Sequence, residues 1–266
     1  MRTKRIVTPS VPQEIVDEIL DHLAADFDFR SLKLCALVSR SWVPSCRRHL
    51  FRIVVFTTVK VARWRKRFPV PEEGPAHHVR DLHFSIGGYH CAPEKFAEHT
   101  PWFTNVERLI LSELGAFQPL WRPSSWRLPQ SVTSLTVEAN TITLVQIRDI
   151  MMQLPDLDNL SLLGSLPVGD RRTLLGTETV LRGRFSGRLR LVKGYAAEEV
   201  MNILLDIPTG LRFTEVQICG MRECFFSTVR LAEACAKTLV KLSYTTSFHC
   251  KSTPSPRSSW FLCVSC

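Results

Sequence analysis

The chain has 266 residues, 45% hydrophobic and 22% charged, the composition of an ordinary soluble globular protein with one or two domains. Lysine and arginine number 34 against 25 aspartate and glutamate, a basic balance that raises nucleic acid as a partner. No apolar run reaches the length of a membrane span, and the charged start Met1-Arg2-Thr3-Lys4-Arg5 lacks the apolar stretch of a secretory signal. An intracellular protein, of cytoplasm or nucleus, is therefore expected.

Residues 1–10 read as a basic arm. Beyond them Ser10 and Gln13 offer a capping box, and Pro12 suits a first helical turn that needs no amide donor. Glu14, Asp17 and Glu18 crowd the same end, where the helix dipole favours negative charge. Ile15, Ile19 and Leu23 recur every fourth residue with Val16 and Leu20 beside them, which predicts one apolar stripe along the helix. Asp26–Asp28 interrupts this pattern. A second apolar helix is expected over Ser31–Val38. A third should run from near Ser41 to Leu50, with Trp42 and Leu50 inside and Arg40, Arg47 and Arg48 outside. Three such short helices cannot bury all their apolar surface among themselves. The remainder either leans on the rest of the chain or receives a partner's helices.

The matching residues are Val11-Pro12-Gln13-Glu14-Ile15, Ile19, Leu20, Leu23, Leu32, Leu37-Val38-Ser39-Arg40, Trp42 and His49-Leu50-Phe51. Taken in order, they resemble an F-box, the module by which substrate receptors join a ubiquitin ligase. The run Ser31–Trp42 followed by Arg47–Phe51 is similar to F-box proteins of mushroom-forming fungi. The resemblance implies a three-helix F-box domain over 11–56 that docks on a Skp-type adaptor and, through it, on a cullin. It implies that Pro12, Ile15, Ile19, Leu20, Leu23, Leu32, Leu37, Val38 and Trp42 carry or support the docking face. The chain would then be a non-enzymatic adaptor, with its target protein unknown.

The connecting segment 57–78 holds the densest basic cluster, Lys60-Val61-Ala62-Arg63-Trp64-Arg65-Lys66-Arg67. An aromatic among arginines can stack on a base, which gives the alternative reading of a basic nucleic-acid-associated scaffold. The plainer reading is a solvated helix face with Trp64 and Phe68 tucked against the core.

A weak repeat governs residues 79–248. Short alternating segments recur, among them Val79–Phe84, Val106–Leu111, Val132–Val137, Leu157–Leu162, Arg188–Leu191, Phe213–Ile218 and Leu239–Tyr244. Their aligned core positions are Leu82, Leu109, Leu135, Leu160, Leu189, Val216 and Leu242, with steps of 25 to 29 residues. Between them Thr143–Leu154, Ala196–Ile207 and Phe225–Thr238 have helical periodicity, and Pro155 and Pro208 follow the first two. The expected fold is α/β: three N-terminal helices, then an irregular leucine-rich-repeat-like solenoid of short parallel strands and helices. The repeats depart from the leucine-rich consensus, since the asparagine that usually ends the strand turn is mostly missing. Alternate strand positions and adjoining residues are candidates for an exposed recognition surface: Arg80, Asp81, His83, Glu107, Arg108, Ser134, Thr136, Asp158, Asn159, Ser161, Arg188, Arg190, Glu215, Gln217 and Lys241. Arg108→Glu is accordingly expected to leave folding intact.

Residues 112–131, with Trp121 and Trp126, show no period and read as an irregular connection. Residues 249–266 form a Ser/Pro-rich tail that turns apolar at its end; without a full capping repeat, the last repeat would leave an exposed edge as a stability liability. His249, Cys250, Cys263 and Cys266 could in principle chelate zinc, but no second well-spaced pair accompanies them, and no metal site is assigned. Cys263–Cys266 also fits a prenylation box only poorly. The nine cysteines are an odd count, mostly isolated in apolar contexts such as Leu34-Cys35-Ala36, and read as small buried hydrophobes. His77, His78, His83 and His90 cluster without matching carboxylates, and there is no phosphate loop, nucleophile elbow or H-E-x-x-H helix. No catalysis and no cofactor are expected.

Overall fold

The structure, a computed structural model, describes residues 11–70, 73–85, 102–112, 127–138, 144–154, 156–164, 185–192, 197–206, 211–220, 224–246 and 262–265. Helices α1 (Gln13–Ala25), α2 (Phe29–Val38) and α3 (Val43–Leu50) open the chain, with a 3-10 turn at Arg40–Trp42 before α3. Their termini differ from the sequence expectation for local reasons. Ser10 lies outside the described residues, Pro12 stands at the N-cap, and Gln13 donates to Asp17 rather than closing a capping box. Asp28 starts α2 two residues early, because its Oδ1 accepts the Ser31 amide at 3.0 Å. Pro44 sits in the first turn of α3, where its missing amide costs nothing, and the chain before it tightens into the 3-10 turn.

These helices enclose a small core of Val16, Leu20, Leu32 and Cys46, closed by Leu23, Ala24, Cys35, Ala36, Trp42 and Leu50. Arg47, Arg48 and His49 occupy the last turn of α3, where the dipole favours positive charge.

The described strands after Arg52 all belong to one sheet. Strands β1 (Ile53–Phe56), β2 (Asp81–Ser85), β3 (Arg108–Ser112), β4 (Ser134–Glu138), β5 (Asn159–Leu163), β6 (Ser186–Val192), β7 (Arg212–Gly220) and β8 (Lys241–Thr246) run parallel, each beside its neighbours in sequence. Strand β9 (Leu262–Ser265) closes the far edge antiparallel to β8. Helix α4 (Thr58–Arg67) follows β1, and α5 (Leu144–Gln153), α6 (Ala197–Leu205) and α7 (Phe225–Ala234) stand in later crossovers. The fold is α/β with a parallel sheet.

The register joins the aligned positions of the sequence repeat directly. Leu82, Leu109, Leu135, Leu160, Leu189, Val216 and Leu242 are successive Cα partners. Val54 extends the row at its start. Strand β1 was not anticipated, because Ile53–Phe56 reads from sequence as the end of the helical module. The carbonyls of Arg52, Arg80, Glu107 and Thr133, each two residues before an aligned position, accept two successive amides of the next repeat. This leads each strand in at the same offset. The pattern breaks at Gly187, where φ is +70° and the β6–β7 register shifts, within the longest repeat step.

Leu82 to Val216, their i+2 neighbours, and the inner faces of α5, α6 and α7 form one continuous core. Leu242 and Tyr244 are half-buried at its end. The helices thus cover one face of the sheet and leave the other to mostly polar side chains, with Val55 and Ile110 among them. The tail also departs from expectation. The β8 edge is not open, because the alternating Leu262-Cys263-Val264-Ser265 pairs with it. Pro155, Pro208, Trp121 and Trp126 lie outside the described residues.

Candidate functional site

The helical unit exposes far more apolar surface than its small core hides. On α1, Ile15 and Ile19 are each 47% exposed, and Val11 continues the same face one turn earlier. On α2, Leu34, Leu37 and Val38 share a face at i, i+3 and i+4, with Leu37 83% exposed. The helix spacing explains the division. Val16 and Leu20 turn one face of α1 inward to meet Leu32 and Cys46, so residues one position before them face outward.

The nine sequence-derived docking residues therefore separate. Pro12, Ile15, Ile19, Leu37 and Val38 are exposed. Leu20 and Leu32 are fully buried and hold the unit together, while Leu23 and Trp42 are half-buried at its margin. The expected Ile15–Ile19–Leu23 stripe is thus mainly an outward face, and the inward one is Val16–Leu20.

Sequence reasoning missed Phe27. Its φ of 56° places a bulky residue in the left-handed region, and its ring is exposed, edge-on to Phe29 at 6.3 Å. This conformation caps the C-terminus of α1, where the Phe27 amide donates to the Ala24 carbonyl and the Asp28 amide to the Leu23 carbonyl. The sequence signal was a phenylalanine standing between Asp26 and Asp28. Polar contacts brace the opposite side: Ser45 donates to Asp17 at 2.6 Å and Arg48 pairs with Asp21 at 3.4 Å. The Ser45 and Gln13 hydrogen bonds hold the Asp17 carboxyl below its ordinary range. Burial pushes the His49 imidazole down, and its Nε2 stands 2.9 Å from Asp21 Oδ1.

The second candidate surface is the polar face of the sheet. Val55, His83, Ile110, Thr136, Ser161, Arg190, Gln217 and Ser243 form one row of Cα partners. A second row runs Asp81, Arg108, Ser134, Asn159, Arg188, Glu215 and Lys241. Charges alternate along it: Arg108 pairs with Asp81, and Glu215 is held by Arg188 at 2.6 Å and Lys241 at 2.8 Å. Arg80 pairs with Glu107 at 3.1 Å. Ser186 donates to Asp158 at 2.6 Å, and His83 and Ser112 share a 2.7 Å hydrogen bond. Asp81 corrects the expectation of exposure, since it is buried beneath Arg108.

The basic cluster resolves into a helix with an anchored aromatic. Arg63, Arg65, Lys66 and Arg67 are exposed on α4. Trp64 packs against Phe51, Phe56, Phe68 and Phe103 with centroids 4.9 to 6.0 Å apart, so its indole is committed to this cluster. Among the described residues no group of three or more His, Cys, Asp or Glu is arranged to hold a metal ion. His249, Cys250, Cys266 and His90 lie outside those residues. No described helix is long and apolar enough to cross a membrane. No protein-family model matches the chain, and no curated protein matches it.

Proposed function

We propose that the chain is a substrate-recognition adaptor of a Skp–cullin–F-box type ubiquitin ligase, its F-box docking on the Skp-type adaptor. The observation that carries this is the exposed apolar face of α1 and α2, on which Ile15, Ile19, Leu34, Leu37 and Val38 stand outward around a separate small core. A monomer gains nothing from exposing such a face, and an amphipathic helix of a partner would cover it. The resemblance of residues 11–51 to an F-box names that partner.

On this reading the sheet is a leucine-rich-repeat-like solenoid. Its polar face, centred on Thr136, Ser161, Arg190, Gln217 and Ser243, presents the target. The chain performs no chemistry of its own. It raises the effective concentration of a target lysine near a charged ubiquitin carrier, inside the cell.

The test is co-expression of the full chain with a Skp-type adaptor, followed by size exclusion in high salt. Co-elution as a stoichiometric complex supports the reading. Separate elution at micromolar concentration overturns it.

A further inference from the structure

Among the described residues, strand β1 ends the sheet and pairs on one side, with β2. A cleft runs along its open side, touched by Ile53, Val54, Val55 and Phe56 in succession. Four consecutive residues of the strand line it, so the cleft follows the edge main chain rather than one face of the sheet. The Arg52 carbonyl accepts from Asp81 on β2. By strand alternation Val54 and Phe56 then address β2, and Ile53 and Val55 turn their N–H and C=O groups toward the cleft.

Its walls are cationic. Lys33 from α2 and Lys60, Arg63 and Arg67 from α4 line it, and no carboxylate lies among the lining residues. The site thus offers main-chain pairing groups and four positive charges.

We infer that this cleft binds an extended acidic peptide segment of another protein, added as a strand beside β1, with its carboxylates on Lys33, Lys60, Arg63 and Arg67. Charge argues against two stretches of this chain as the occupant. Residues 1–10 carry Arg2, Lys4 and Arg5, and the 251–261 stretch carries Lys251 and Arg257, without an acidic residue in either. A second copy paired edge to edge would set the same cations against each other. Single-stranded nucleic acid would need an aromatic ring to stack on, and the Trp64 ring is packed among four phenyl rings. The proposal does not rest on the ligase reading.

The test uses the full chain and fluorescein-labelled hexapeptides in which glutamate alternates with valine, isoleucine or tyrosine, measured by fluorescence anisotropy. At least one should bind with micromolar affinity. Binding should weaken about tenfold or more on combined Arg63→Glu and Arg67→Glu, which reverses charge at two exposed positions. Methylating alternate peptide nitrogens should weaken it about as much in one of the two phases, since that removes the donors a strand edge needs. Circular dichroism verifies that the double variant is folded. Three outcomes overturn the proposal: no binding by any acidic peptide, equal binding by both N-methylated phases and the parent peptide, or tighter binding by an oligothymidylate lost in the same variant.

Discussion

Arg108 grips Asp81, its Cα partner on the neighbouring strand, with two nitrogens, Nε standing 2.6 Å from Oδ1. The acid is the buried member, its side chain 11% exposed against 59% for the arginine. A two-nitrogen fork suits the planar carboxylate and compensates its burial.

Arg108→Glu should therefore destabilise the protein, contrary to what an alternating pattern implies. The replacement sets a second carboxylate against Asp81, and we predict a loss of about 1–2 kcal/mol, partly relieved by salt because the arginine side is exposed. Leu160→Asp, which places a charge in the continuous core, should cost several kcal/mol more and unfold the sheet. Thermal melts of the two variants at low and high salt check the order. An unchanged melt for Arg108→Glu would show that the fork contributes nothing.

Gly187→Ala should be among the most damaging small substitutions in the sheet. A Cβ there would stand 2.2 Å from the Asp158 carbonyl oxygen, and the φ of +70° already disfavours a side chain. The Arg188 amide donates to that same carbonyl, so the strand cannot simply move away. The expected loss is on the order of 1–3 kcal/mol. Chemical denaturation of the variant measures it.

Acid should weaken the β6–β7–β8 region through Glu215. Hydrogen bonds from Lys241 and then Arg188 hold its carboxyl below the ordinary glutamate range. A carboxylate depressed on folding contributes stability above its unfolded pKa and loses it as pH falls through the folded value. Glu215→Gln should accordingly melt lower than the parent near pH 6, and the gap should close as the parent is acidified below that range. A gap that persists unchanged into strong acid would assign the effect to shape rather than charge.

The docking face and the small core make opposite predictions for adjacent residues. Ile19→Ala or Leu37→Ala removes an exposed anchor and should cost adaptor binding about 2 kcal/mol, roughly thirtyfold, with little change in melting. Leu20→Ala empties a fully buried position and should destabilise the helical unit by about 2–5 kcal/mol. Calorimetric titration with the adaptor, beside melts of each variant, separates the two. Normal binding by both surface variants would remove the α1–α2 face from the interface.

The sequence by itself determined which residues form the sheet's core row. Burial on one face forces apolar residues to recur at fixed spacing, so the positions from Leu82 to Leu242 align by spacing alone. It determined the three short helices as well, through the apolar periodicity, but not the starts of the second and third, which Asp28 and Pro44 set at Phe29 and Val43. Tertiary structure alone decided which stripe of α1 turns inward, because Ile15–Ile19 and Val16–Leu20 are equally apolar and only contact with Leu32 and Cys46 separates them. It also decided that Ile53–Phe56 begins the sheet and that Asp81 is buried. A short strand has no internal hydrogen bonds and an ion pair no local periodicity, so both exist only through partners distant along the chain.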